Sequence, residues 1–225
     1  NMFENVMQKE MPTHVLVAFD AGKTTFRTEF YSEYKAGRSK TPGEFKEQMP
    51  YIRELLEGLG VKYYELPNYE ADDIIGTLAN KVDKDEFDVV VLSGDRDLTQ
   101  LATDTVKVDI TVKGVSDIES YTPEHIAEKY DGLTPKQIID MKGLAGDTSD
   151  NIPGVTKIGE KTAIKLLKQY GSVEGVYENI DEMKKSKMKE NLINDKEQAF
   201  LSKRLATIEV NAPVEVNVED LAYEG

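Results

Sequence analysis

Acidic side chains fall in this sequence where the backbone changes type. Glu70, Asp72 and Asp73 open an apolar-periodic stretch (Ile74, Ile75, Leu78, Ala79, Val82) that predicts a helix, so they sit in its first turn, where the macrodipole tolerates negative charge. Asp95 and Asp97 follow the apolar run Val89 to Leu92, which predicts a strand buried on both faces of a parallel sheet. Asp20 ends a further strand-like run that begins at Thr13 and joins the set by position. Acids beyond the carboxyl ends of strands lie where open α/β sheets carry their sites. Like charges crowded together raise one another's pKa values, and a hard divalent ion removes that cost. Mg²⁺ or Mn²⁺ prefers oxygen ligands, keeps several waters, and is held by a few carboxylates plus substrate phosphate. One such acid alone reads as a capping or surface group, but two clusters at consecutive element ends do not.

The elements that must position these acids follow in order. Residues 1–10 read as the last turns of a helix, and Thr13 to Asp20 as a strand. The segment Phe26 to Lys40 interleaves aromatics with cations, a mixture suited to backbone contact and base stacking on nucleic acid, or to a solvated loop. Thr41-Pro42 caps an amphipathic helix (Phe45, Met49, Ile52, Leu56, Leu59) that Gly60 ends and that Pro50 is expected to kink or split. Tyr63 to Leu66 predicts a short strand, and Val106 to Val112 another nearer an edge. Near Tyr121 capped helices replace strands, at Thr122-Pro123 and Thr134-Pro135, which sets an α/β domain at 1–120 and a helical domain at 121–208. There, two glycines flank a short hairpin, Gly154 to Gly159, ahead of a helix carrying Lys161, Lys165 and Lys168, an arrangement that aims backbone N–H groups and cations at a phosphate. Residues 209–225, acidic and Val-rich, read as a linker.

Composition narrows the chemistry. The 225 residues contain no Cys and two His, which excludes disulfides and thiolate metal sites and leaves little for a histidine-based one; His14 and His125 both read as structural. No signal-like or long apolar segment is present, so a cytoplasmic address and no membrane partner are expected. The net charge of −14 is unusual for a nucleic-acid binder, yet setting aside the eight acids assigned below to one site leaves −6, and basic residues cluster at Arg27 to Arg53 and Lys157 to Lys168. Ala21-Gly-Lys-Thr-Thr is not a nucleotide-binding loop, because Val17 stands where that motif needs glycine. Neither Asp95 nor Asp147 opens a Ca²⁺ loop, and Gly22 stands where a phosphatase resembling this sheet would carry its second Asp.

Taken together, VLVAFDAGKTTFR, YKAGR, YEADDIIGTLA, LSGDRDLTQL, GLAGDTSDNIPGV and IGEKTAIKLL resemble the 5' nuclease domain of bacterial DNA polymerase I, related to flap endonucleases, across nearly the whole chain. The resemblance implies a Rossmann-like (PIN-like), mostly parallel α/β sheet joined to a helical helix-hairpin-helix domain. It implies two or more Mg²⁺ (or Mn²⁺) ions, with Asp20, Glu70, Asp72, Asp73, Asp95, Asp97, Asp147 and Asp150 as their ligands or outer-shell acids, the last two reaching the site from the helical half. By the same matching Lys35 and Arg38 are catalytic cations of an arch over the site, and Arg27 and Tyr34 lie nearby on DNA. Gly154, Ile158 and Gly159, with Lys161, Thr162 and Lys165, hold duplex phosphates, with K⁺ expected at the hairpin. An earlier strand ending in another metal-binding Asp has no match here, so the chain is expected to begin after it, and residues 209–225 to lead toward a polymerase. The implied activity is hydrolysis of DNA at 5' flaps, nicks and 5' ends by a monomer, as in primer removal and repair. The rival expectation is a structure-specific DNA-binding module that does not cut.

Overall fold

The computed structural model describes residues 2–36, 43–112 and 117–225, with backbone alone at Met2 and over 43–50; Arg38, with the rest of 37–42, lies outside the described residues. Helix α1 (Met2–Glu10) leads into β1 (Leu16–Phe19), a short helix α2 (Phe26–Phe30), α3 (Gly43–Gly58) and β2 (Lys62–Glu65). Then come α4 (Ala71–Lys81), β3 (Val89–Ser93), a 3₁₀ helix over Arg96–Leu101, β4 (Val106–Thr111) and β5 (Ile118–Tyr121). The rest is helical: α5 (Pro123–Lys129), α6 (Gln137–Ala145), α7 (Glu160–Tyr170), α8 (Val173–Glu178), α9 (Lys187–Asn194) and α10 (Lys196–Ala206).

β1 and β2 pair in parallel, Leu16 opposite Lys62, and β3 and β4 pair in parallel, Val89 opposite Val106. The carboxyl ends of β1, β2 and β3 therefore deliver Asp20, Glu70 and Asp95 on the chain that follows each strand. Three expectations fail in detail. β4 is not an edge strand, because β5, whose four residues Ile-Glu-Ser-Tyr carry too little pattern to be read, adds to it antiparallel. β3 is not buried on both faces: Val91 is buried but Val90 is 38 % exposed. Pro50 does not split its helix, which runs as one element from Gly43 to Gly58.

A continuous apolar core joins the sheet to the helices, with Leu98, Val108, Ile110 and Tyr121 packed among Ile126, Leu133, Ile138, Leu144 and Leu167. α6 lies at its centre, against α7 and α10. A second cluster overturns the linker expectation for 209–225. Ala212 and Val214 are buried against Ile74 and Leu78 of α4, with Val216 alongside, so alternate residues of an extended segment cover the helix face that the sheet leaves open. Backbone bonds then tie the end down: Val15 N–H donates to Leu221 O at 3.0 Å and Tyr223 N–H to Thr13 O at 2.8 Å. No helix among the described residues is long and apolar enough to cross a membrane.

Candidate metal centre

The start of α4 is where the acids converge. Its first N–H groups lack intrahelical partners, and carboxylates supply them: Asp20 Oδ1 accepts from Ala71 N at 2.7 Å, and Asp73 Oδ2 from Glu70 N at 3.0 Å. Asp73 is fully buried, and its remaining acceptor sites are taken by Arg27 and by Glu209 N–H at 2.9 Å. No acceptor position is left for an ion, so of the two roles expected for Asp73 that of direct ligand is corrected, and it supports the site through Arg27 and Glu70.

Arg27 is corrected with it. It is 3 % exposed, and its guanidinium makes five hydrogen bonds. Nη1 donates to Glu70 Oε2 (2.6 Å) and Asp73 Oδ2 (2.9 Å), Nη2 to Asp73 Oδ1 (2.8 Å) and Thr207 O (2.7 Å), and Nε to Leu205 O (3.0 Å). Burial opposes its charge, but Asp73 and Glu70 more than compensate and hold its pKa above the ordinary arginine value. It cannot meet DNA, and instead rivets α4 to the end of α10. Tyr34 is likewise buried, its hydroxyl 3.3 Å from Glu70 Oε2, and burial followed by the Glu70 charge pushes its pKa upward, so it too is corrected from a DNA contact to a support of Glu70.

Lys35 closes the other side of Glu70. Its ammonium ion-pairs with that carboxylate, while its N–H donates to Asp150 O at 2.8 Å and its backbone adopts the left-handed conformation at φ 58°. Beyond it lies a cleft lined by Glu70, Asp72, Asp97 and Asp150. Burial, then the charges of Asp95, Glu70 and Asp20, push the Asp72 carboxyl up to about 7, with Lys35 pulling the other way. Carboxylates this close, arriving from three strand ends, form one electrostatic unit.

The helical half completes it. Asp147 and Asp150 follow α6 in a tight turn closed by paired backbone bonds between Asp147 and Ile152. The turn depends on close backbone approach: Gly154, at φ 64°, passes Gly146 so nearly that a Cβ would lie 2.3 Å from its nitrogen. Oxygens of Asp97, Asp147 and Asp150 all lie within 4.8 Å of one another, and Asp150 is 1 % exposed. Asp95 Oδ1 accepts from Asp97 N at 2.9 Å, fixing the loop that carries Asp97. Burial raises the Asp147 pKa, but Ser149 and the Lys142 ammonium outweigh it and hold the carboxyl below the usual range. Hard oxygen donors converging from two halves of the chain, their three negative charges only partly offset by one ammonium, fit a divalent ion.

A family model described as "5'-3' exonuclease, N-terminal resolvase-like domain" matches residues 1–131, and one described as "5'-3' exonuclease, C-terminal SAM fold" matches 133–225. The chain belongs to the 5'-3' exonuclease family. DNA polymerase I of Streptococcus pneumoniae strain R6 is 61 % identical over 224 residues, covering 100 % of this chain and 25 % of that protein. DNA polymerase I of Bacillus subtilis is 63 % identical over 220 residues, covering 98 % and 25 %. The chain thus spans about a quarter of the length of these curated relatives. Among solved structures, T5 5'-exonuclease with bound zinc superposes at TM-score 0.75 with 25 % identity, covering 92 % of this chain and 79 % of that one. The catalytic core of Rad2 in complex with DNA substrate gives TM-score 0.59 at 17 % identity, covering 99 % and 72 %, a likeness of fold. Mixed α/β and SAM-like helical parts in this order are the family's architecture.

Within the family frame the hairpin needs correction. Gly154 is buried, its N–H donated to Ser202 Oγ at 2.8 Å and its carbonyl accepting from Gln198 at 2.7 Å, and Ile158 is 5 % exposed in the core. Neither presents a free group to a phosphate. Gly159, the exposed residue preceding α7, and Lys161, Thr162 and Lys165 on its first turns remain at the surface. Lys142 is a cation at the acidic cluster that sequence reasoning missed. It ion-pairs with Asp97 and lies 3.1 Å from Asp147 Oδ2, and the available signal was a lysine in the last turn of α6 just ahead of the acidic turn.

Proposed function

We propose that this chain hydrolyses a DNA phosphodiester near a 5' end, at the junction of single strand and duplex, with Mg²⁺ or Mn²⁺ as the working ion. The observation that carries it is the meeting of Asp97, Asp147 and Asp150 oxygens within 4.8 Å at the seam between sheet and helices. A hard divalent ion bound there supplies an activated water and Lewis-acid stabilisation of the leaving oxygen. The chain's own residues do the rest. Asp97, Asp147 and Asp150 hold the ion, with Asp72, Asp95, Glu70 and Asp20 around it. Glu70 is fixed by Arg27 and Tyr34, so its position costs no reorganisation when substrate arrives. Lys35, tethered to Glu70, places positive charge where the reacting phosphate is most anionic, and Arg38, outside the described residues, is assigned the same role by the sequence resemblance alone. Gly159, Lys161, Thr162 and Lys165 grip duplex phosphates away from the chemistry, where a K⁺ ion belongs to the same proposal. Within this proposal the activity serves primer removal and repair in a cytoplasmic monomer, and the relatives' name, DNA polymerase I, supports the link to DNA synthesis.

The test is cleavage of a 5'-labelled flap duplex by the chain with Mg²⁺ and then Ca²⁺, binding being recorded on the same samples. Cutting with Mg²⁺ alone is expected, and Asp97→Asn should abolish it while binding stays within about twofold. Full cleavage by Asp97→Asn at ordinary Mg²⁺ would sink the proposal. Tight binding by the unaltered chain with no cutting in either ion would leave a DNA-binding module instead.

A further inference from the structure

The two acids that face each other across the seam already share a cation. Lys142 projects from the last turn of α6; its ammonium ion-pairs with Asp97 and stands 3.1 Å from Asp147, and its side chain is 15 % exposed. Those same carboxylates, with Asp150, are the group whose oxygens converge. We propose that Lys142 is the centre's built-in counter-ion: its ammonium holds Asp97 and Asp147 together while no divalent ion is bound, and it must leave them before one can bind. This rests on the metal-centre reading above and adds a competitor to it.

Three observations favour an exchangeable cation over a permanent ion pair. Its two partners arrive from different halves of the chain, Asp97 from the loop after β3 and Asp147 from the turn after α6, so an unneutralised centre would push the halves apart. A lysine is a compact point charge on a flexible stem, able to swing away without dismantling a fork of bonds. Arg27 shows the contrast, because its guanidinium is locked by five bonds and buried. Finally, a divalent ion attracts each carboxylate with twice the charge of an ammonium, so it wins the exchange at sufficient concentration. Lys142 thereby sets how much divalent ion the centre needs while keeping the empty centre from repelling itself.

The experiment is Mn²⁺ binding by calorimetry, with free Mn²⁺ followed by electron paramagnetic resonance, on the 225-residue chain and its Lys142→Met and Lys142→Arg variants. Lys142→Met should bind Mn²⁺ about tenfold tighter, ~1.4 kcal/mol. Lys142→Arg, which keeps the charge and can hold the carboxylates with a fork, should bind Mn²⁺ no tighter than the unaltered chain. Ion-free Lys142→Met should melt lower and gain more on adding Mn²⁺. Equal or weaker binding by Lys142→Met overturns the proposal while leaving the metal centre standing. Absence of saturable Mn²⁺ binding by the unaltered chain overturns both. If Lys142→Met does not fold, Lys142→Gln is titrated in its place against the same tenfold criterion.

Discussion

Replacing Arg27 by Met should remove about 4 kcal/mol of stability without touching any exposed surface. The guanidinium donates three bonds to the carboxylates of Glu70 and Asp73 and two to the carbonyls of Leu205 and Thr207, all from a side chain 3 % exposed. Breaking a buried ion pair by removing one partner costs ~3 to 5 kcal/mol, because the other charge is left in place. Here the survivors keep some support: Asp73 retains the N–H groups of Glu70 and Glu209, and Glu70 retains Lys35 and Tyr34. That moves the electrostatic cost toward ~3 kcal/mol, and the orphaned carbonyls at the end of α10 add about 1. Met fills similar volume, so the cavity contribution is small. The chain has no Trp, so unfolding in urea is followed by far-UV circular dichroism. With a slope of ~2.5 kcal/mol per molar, the midpoint should fall by about 1.5 M. Arg27→Lys keeps the charge but loses the fork, and should fall about half as far. In a double-mutant cycle, Arg27→Met with Asp73→Asn should recover ~2 kcal/mol of the summed losses. A midpoint shift below ~0.4 M for Arg27→Met, about 1 kcal/mol, would refute the account of Arg27 as the rivet between sheet and helices.

The remaining expectations concern the acids, the turn and the tail. Asp72 is held up to about 7 in the folded chain against an ordinary value of 3.8, so the folded state keeps a proton that the unfolded chain has released. That contribution is full below pH 3.8 and is lost as pH rises through about 7, so the ion-free chain should weaken by ~2 kcal/mol between pH 5 and 8 after allowance for partial solvent access. Asp72→Asn should flatten that slope in thermal melts, and an unchanged slope would count against the coupling. Gly154→Ala forces a Cβ to 2.3 Å from Gly146 N and 2.6 Å from Ala145 C at φ 64°, where backbone cannot yield. The melting temperature should drop by about 8 °C, ~3 kcal/mol, and a drop under ~2 °C would show that the turn relaxes. Val214→Asp buries a charge where the side chain is 7 % exposed, so residues 209–225 should become open to limited proteolysis; equal resistance would restore the linker interpretation.

The acids were legible because their positions repeat one local rule: each follows an apolar strand or opens an apolar helix, and a few residues of pattern suffice to see it. Arg27 was not, since its partners Glu70 and Asp73 lie 43 and 46 residues away and its carbonyls 178 and 180. Among neighbouring aromatics and cations it has the local pattern of a nucleic-acid contact, and only tertiary structure turns it inward. Residues 209–225 carried a usable signal in the alternation of Val210, Ala212, Val214 and Val216, but interspersed Asn and Glu diluted it below the level that distinguishes a packed strand from a loop. β5 failed because four residues with polar Glu and Ser at their centre carry no apolar run. Gly154 and Ile158 illustrate a different limit: a hairpin motif identifies the turn, but not which of its N–H groups the rest of the fold has already claimed.

The cations that escaped local pattern explain how so acidic a centre can fold before any divalent ion binds. Arg27 neutralises Glu70 and Asp73 inside the protein, Lys35 meets Glu70 from the cleft side, and Lys142 spans Asp97 and Asp147. Their burial grades from 3 % exposed for Arg27 through 15 % for Lys142 to 25 % for Lys35, and the chemistry of each follows that order. A buried fork cannot be exchanged and so fixes geometry. A half-sheltered ammonium between two ligands can be exchanged and so competes with an ion. The more exposed lysine stays tied to Glu70 beside the cleft that an incoming phosphate would enter. Among the described residues Asp72 shows no such dedicated partner, and burial with the neighbouring acids raises its pKa, which makes it the group most relieved when a divalent ion enters.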